Sequence, residues 1–209
     1  MQLSINIMKK HIYFTLLFLL SIACQAQSPV YNISDVREGT EGSYYKDING
    51  TLNGYDGTYV YTNGNTSLTI ILKKMDLTYD GYYYQDLIVG EFQFIKDGVE
   101  LNNTLANINV SYPYEVMNHV IKGNRILTGT TMGCPDCSPT EKRLRLSFID
   151  NKSDNIAGLD IRKTTINGVP AIIVKVFSNG DVRSVNADNP GPPQLPPTIE
   201  RGVYLMLKQ

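Results

Sequence analysis

Cys134 and Cys137 stand three positions apart in Gly133-Cys134-Pro135-Asp136-Cys137-Ser138-Pro139, the densest group of reactive side chains in the sequence. Two thiols at this spacing can close a local disulfide, supply half of a metal site, or exchange disulfides with another thiol. Each use makes a further demand. A zinc site needs two more ligands; of the two histidines only His119 lies beyond the N-terminal apolar segment, so carboxylates would have to complete the set. Thiol exchange needs a thiolate of lowered pKa, commonly held at the start of a helix. Ser138-Pro139-Thr140-Glu141 can cap one short turn, with Lys142 and Arg143 as neighbouring cations, but from Arg143 onward the residues alternate like a strand. A disulfide needs only an oxidising compartment.

Other catalytic constellations are thinner. A Ser–His–acid site would have to use His119, and the chain contains no Gly-x-Ser-x-Gly elbow and no glycine-rich phosphate loop. Asp86, Glu91 and Glu100 are available as carboxylates for glycoside hydrolysis, although any β protein of this size offers such residues. No catalytic residue, metal ligand or cofactor is therefore assigned. Tyrosine is the abundant aromatic, with 14 Tyr and no Trp. Tyr59, Tyr61, Tyr79 and the run Tyr82-Tyr83-Tyr84 cluster around the first two hairpins. Three consecutive rings must serve both faces of a strand. They are ordinary strand formers that pack across a sheet, and they also suit the rim of a site for a glycan, peptide or lipid.

The elements that must carry these residues are strands. Thr58 to Lys74 reads TYVYTNGNTSLTIILKK, two β-prone runs around Asn63-Gly64, a pair that supplies the positive φ of a type I′ turn. Leu68, Ile70 and Leu72 share one face. The unit recurs with Asp80-Gly81, Asp97-Gly98, Asn167-Gly168 and Asn179-Gly180 between apolar runs. Tyr82 to Lys96 keeps Tyr82, Tyr84, Ile88, Phe92 and Phe94 on one parity, and Gly90 on that same face predicts a bulge or bend. Val99 to Val110 answers it. Tyr112 to Arg125, around Val116, Val120 and Ile121, fits either a helical turn or a strand, and Ile126 to Thr131 reads as a short strand. Arg143 to Asp150 alternates with Leu144, Leu146 and Phe148 inward. Ile156 to Ile166 pairs with Val169 to Ser178, whose Ile172, Val174 and Val176 face the core, and Pro170 implies that this strand starts beyond it or lies at an edge there. Asn189 to Pro197 is a proline-rich crossing loop, and Gly202 to Lys208 a closing strand. About ten strands without a helical period predict an all-β domain, an antiparallel meander forming a barrel or strongly curled sheet. Gly57-Thr58-Tyr59 at the opening and a closing C-terminal strand resemble a lipocalin-type calycin, with Tyr59 where that family carries Trp.

Before this domain, Met8-Lys9-Lys10 precedes an apolar run from Ile12 to Ala23. A basic start, a short hydrophobic stretch and a small-residue boundary predict a secretory signal peptide over residues 1–23, with Met1 to Ile7 upstream of the working start. Two processing routes fit. Ser21-Ile22-Ala23-Cys24 resembles a bacterial lipobox, which would make Cys24 the lipid attachment site and the membrane a partner through that anchor. Cleavage before Gln27 would instead release a soluble periplasmic or secreted protein. Either way Cys134 and Cys137 remain as the one mature pair. Residues 24–56 read as a polar tether or lead-in, and residues 57–209 as a single β domain. The formal net charge is −1; without residues 1–23 the chain keeps 17 basic against 20 acidic residues, a net of −3. With no dense basic cluster, nucleic acid is excluded as the expected partner.

The segments CQAQSP, YVYTNGNTSLTIIL, YYYQDLIVGEFQFI, LNNTLANIN, CPDCSPTEKRLRLSFID and GVYLMLKQ together resemble a family of small uncharacterised exported proteins and predicted lipoproteins of flavobacteria, a domain of unknown function. The resemblance implies an envelope location and an all-β domain, and carries no activity or site residue with it. The expectation is a non-enzymatic, lipid-anchored envelope module that binds a small ligand or another envelope component. The alternative is a secreted thiol–disulfide or other enzyme centred on Cys134 and Cys137.

Overall fold

The computed structural model describes residues 28–35, 39–112, 114, 118–131, 133–153, 155–181 and 195–209. The expected signal peptide, residues 1–23, and Cys24 lie outside these residues, as does most of the proline-rich crossing loop. Eleven strands are described: β1 Val30–Asn32, β2 Tyr44–Lys46, β3 Gly57–Asn63, β4 Thr66–Tyr79, β5 Tyr84–Lys96, β6 Val99–Asn103, β7 Ile121–Thr128, β8 Lys142–Asp150, β9 Asn155–Ile166, β10 Val169–Asp181 and β11 Gly202–Lys208. Eight of them, β3-β4-β5-β7-β8-β9-β10-β11, close into an antiparallel barrel in chain order, with β11 returning to β3. The expected meander is therefore a closed one.

The inward parity follows the alternation in the sequence. Leu68, Ile70 and Leu72, then Ile88, Phe92 and Phe94, then Leu144, Leu146 and Phe148, and finally Ile172, Val174 and Val176 are all buried in one cluster. Phe92 and Phe148 meet edge to face with centroids 5.0 Å apart at its centre. Exposures of 0 to 2% for Tyr59, Phe92 and Phe148 leave no water-sized space against those side chains, so this part of the barrel is packed. Each such side chain contributes about 1.5–3 kcal/mol of burial free energy.

The turns obey the glycine logic with some changes. Asp97-Gly98 and Asn167-Gly168 both carry positive φ at each residue, the type I′ pattern. At the first hairpin only Gly64 has positive φ, and the turn residues are Gly64 and Asn65, which corrects the expected I′ turn to the II′ pattern. Asn179-Gly180 is not a hairpin. It sits at a bulge inside β10, where the pairing with β9 shifts between Ser178 and Gly180. Gly90 likewise makes no bulge: it pairs in register with Leu72 on one side and Ile121 on the other. Its missing side chain is needed because a Cβ would lie 2.7 Å from the carbonyl oxygen of Ile71. The Val99–Val110 strand ends at Asn103 and gives way to a 3-10 turn at Leu105–Asn109, while the ambiguous stretch before Arg125 becomes strand from Ile121. β10 starts before Pro170, which pairs with Thr165 of β9 but has no register partner in β11, whose pairs with β10 begin at Ala171; the proline thus stands at an edge where the ladder needs no N–H.

The described part of the lead-in is packed. β2 pairs parallel to the start of β5, β1 pairs parallel to β2, and Tyr45, Leu52 and Tyr55 enter the core cluster. The clasp is the buried Asp86 carboxylate, which accepts from the Tyr44 hydroxyl at 2.5 Å, the Asp47 N–H at 2.8 Å and the Leu77 N–H at 3.0 Å. Burial and then the Asp86 carboxylate hold the Tyr44 phenol far above its ordinary range, so it remains a donor. Leu77, at φ 53°, is kept in the left-handed region at a β4 bulge by the same carboxylate.

A second buried carboxylate anchors the segment before β11. Asp150 accepts from the Thr198 N–H at 2.6 Å, the Ser153 hydroxyl at 2.7 Å and the Lys152 N–H at 3.1 Å. Burial alone would raise its pKa; these donors outweigh that and hold it below the ordinary carboxylate value. A depressed folded-state pKa contributes stability above the unfolded value of about 3.9, and that stability is lost as pH falls through the folded one. Urea midpoints measured from pH 6 to pH 2 are expected to fall more steeply below pH 4 for the native chain than for Asp150→Asn, which starts lower. Parallel curves would remove Asp150 from the acid response.

Candidate functional site

Three described concavities stand apart from the packed Phe92–Phe148 centre, and neither ring lines any of them. One opens where β5 and β7 part. These strands share only three register pairs, Ile88–Gly90 with Ile121–Gly123, and β7 then bulges between Lys122 and Arg125. The resulting hollow of about 390 Å³ is lined by Ile33, Tyr45, Tyr83, Gln85, Asn124, Arg125 and Ile126, together with Ser34. Tyr45 and Tyr83 meet edge to face at 4.8 Å, and Tyr31 stacks on Tyr45 at 5.4 Å. Asn124 donates to the Gln85 side-chain oxygen and to the Asp86 carbonyl, both at 2.9 Å, which fixes the amide edge of the hollow. Burial and then the Asp80 carboxylate raise the Tyr83 phenol above its ordinary value, so it stays protonated. Arg125 is exposed and has no hydrogen-bond or ion-pair partner among the described residues. Of the three tyrosines expected at a rim, Tyr83 alone lines the hollow. Tyr82 touches the Tyr83 ring from outside, and Tyr84 packs on Tyr79 at 4.9 Å.

Arg125 opens a cross-strand row. It faces Arg145 on β8, which faces Asp160 on β9, which faces Lys175 on β10, which faces Val203 on β11. Arg145 takes Asp160 with two bonds, Nε to Oδ1 at 2.6 Å and Nη2 to Oδ2 at 2.7 Å, and its guanidinium lies 4.5 Å over the Phe177 ring. That ring covers Gly158, where a Cβ would come within 2.1 Å of it. Like charges directly opposed across strands destabilise a sheet; here the two bonds that Arg145 donates to Asp160 offset the Arg145 half of the Arg125–Arg145 pair.

The far end of this row runs under the segment that carries Cys134 and Cys137. The two sulfurs are bonded, and both residues are buried. Arg162 ties the segment down through Glu141 at 2.6 Å and Asp136 at 2.9 Å. Arg143, expected on the outer face of β8, is on that face but buried beneath the segment, donating to the carbonyls of Gly129 and Thr131. No helix starts at either cysteine, so the usual source of a stabilised thiolate is missing among the described residues. Nor do the described residues contain a group of three or more His, Cys, Asp or Glu placed to hold a metal ion.

His119 and Glu91 form a third feature that spacing alone did not pair. Glu91 points outward from β5 yet is fully buried beneath the turn after β6, and its Oε1 lies 2.8 Å from the His119 Nδ1. Tyr112 packs edge to face on the imidazole at 5.3 Å, and an adjoining space of about 80 Å³ is lined by Ser111 and His119. That space is small for a substrate, and the dyad ties His119 to β5 in the barrel wall.

The fold and its outer hollows define a small closed-barrel protein with a packed interior and a polar, aromatic external site. The chain belongs to the family of unknown function DUF6705, whose model matches residues 8–181. No curated protein and no solved structure matches it.

If Cys134–Cys137 is a structural clip, a thiol reagent will find no free thiol from this pair in the native protein, and a mild reductant will expose two only after denaturation. Rapid reduction in the native state, with loss of an activity in Cys137→Ser, would support thiol chemistry instead.

Proposed function

We propose that the protein is an exported, non-enzymatic binding module of the cell envelope, anchored by lipid on Cys24, which holds a small ligand in the hollow between Tyr45, Tyr83 and Arg125. One observation carries the binding role: a guanidinium without a hydrogen-bond or ion-pair partner among the described residues, beside two aromatic rings and a fixed amide edge. Aromatic faces take a flat, partly apolar ring, amides take hydroxyls, and Arg125 takes an anionic group. Together these describe an acidic saccharide or a fragment of similar chemistry. The leader and lipobox resemblance support the anchor and location; release as a soluble periplasmic or secreted protein is the alternative fate. The buried disulfide weighs against the reading of a secreted thiol enzyme.

Two measurements test this. Titration of glucuronate and glucose, followed by tyrosine ring resonances, is expected to favour glucuronate by about tenfold, the order of one charge-assisted hydrogen bond. Arg125→Ala should remove that preference without lowering the unfolding midpoint. Absence of saturable shifts with either sugar defeats the saccharide assignment. In cells, a labelled fatty acid should enter the native chain and not Cys24→Ser; an unlabelled native chain defeats the anchor.

A further inference from the structure

We propose a second binding site, beyond the saccharide hollow, in the cleft beside the disulfide: a site for a small amphiphilic carboxylate, its head on Arg143 and Lys175 and its apolar stem along Ile173 and Val203. The cleft measures about 330 Å³, and Gly133, Cys134 and Asp136 form its outer wall. That is the small end of the range for small-molecule sites, enough for a charged head and several methylenes.

The charge balance calls for an anion. Around the cleft stand Arg143, Arg145, Arg162 and Lys175 against Asp136, Glu141 and Asp160, leaving one positive charge uncompensated. The pairing shows where it resides. Arg162 is engaged by Glu141 and Asp136, and Arg145 takes both oxygens of Asp160. Arg143, whose Nη2 donates to the Gly129 and Thr131 carbonyls, has only a longer 3.5 Å approach to a carboxylate among the described residues, that of Asp160, and it is 2% exposed. Its Nε is buried without a hydrogen-bond partner among the described residues. Buried charge with an unsatisfied donor is costly unless something completes it. Lys175, exposed on the cleft floor, reaches only the Gly133 carbonyl among the described residues, at 3.4 Å.

The second half of the site is apolar. Ile173 lines the cleft with Val203, which is 65% exposed, and Leu205 and Leu207 continue the same outward face of β11. A charged head beside an open apolar strip matches an alkyl carboxylate better than a bare inorganic ion. The disulfide gives the site its wall, because Cys134–Cys137 fixes the turn from which Gly133 and Asp136 face Arg143 and Lys175.

The test uses the mature chain and three probes: decanoate, acetate and decanol, each titrated by calorimetry and by NMR of the isoleucine and valine methyls. Decanoate is expected to bind with unit stoichiometry and well above acetate, since each buried methylene is worth about fourfold in affinity. It should also exceed decanol by about tenfold. Lys175→Ala, a surface change, should weaken decanoate about tenfold, and Val203→Ser should weaken it several-fold while leaving acetate unchanged. Arg125→Ala should leave decanoate binding intact, which separates this site from the saccharide hollow. Equal affinity for acetate and decanoate, or for decanol and decanoate, would overturn the proposal; so would binding insensitive to Lys175→Ala, or an absence of binding.

Discussion

The barrel depends on one strand changing partners along its length. β5 gives its Gln93–Lys96 end to β6, its Ile88–Gly90 centre to β7 and its Tyr84–Gln85 start to β2, while its other edge stays with β4. A strand edge has one set of donors and acceptors, so closure requires that these partners take turns. At the change-over three strands meet at Gly90, where a side chain would strike the backbone of β4. The seam that results is short, and the N-terminal strands cover the opening beside it. The hollow beside Tyr45, Tyr83 and Arg125 lies between that covering and the parted strands, so the candidate site is a by-product of how the cylinder is closed.

Strand identity and facing were legible because alternation and Asn-Gly or Asp-Gly pairs are local signals. Leu144, Leu146 and Phe148 needed no neighbour to announce their side. What stayed hidden is non-local. Asn179-Gly180 has the same composition as a true hairpin, and only the continued pairing of β10 with β9 makes it a bulge. The lead-in reads as polar because its three buried side chains, Tyr45, Leu52 and Tyr55, are scattered through turns rather than set at a period.

The candidate site was half legible. Tyrosine density marked the region, but two of the three consecutive rings turn away from the hollow, and Arg125 gave no signal until the bulge in β7 set it beside Tyr83. Likewise, Cys134 and Cys137 could be paired by spacing, whereas the stacking of their turn over Arg143 joins residues that alternation had assigned to solvent. A net negative chain can still present a basic row, because charge that cancels in the sum need not cancel on one face.

The ring is completed late. β11 meets β3 through just two register pairs, Leu207–Val60 and Lys208–Tyr59, with Lys208 lying 5.7 Å over the Tyr59 ring. β3 is the first of the eight barrel strands in chain order and β11 the last. A polypeptide delivered residue by residue, from a ribosome or through a channel, therefore holds an open, curling ribbon with two raw edges until its final staves emerge. Anything that must thread the chain in extended form has that interval in which to do it.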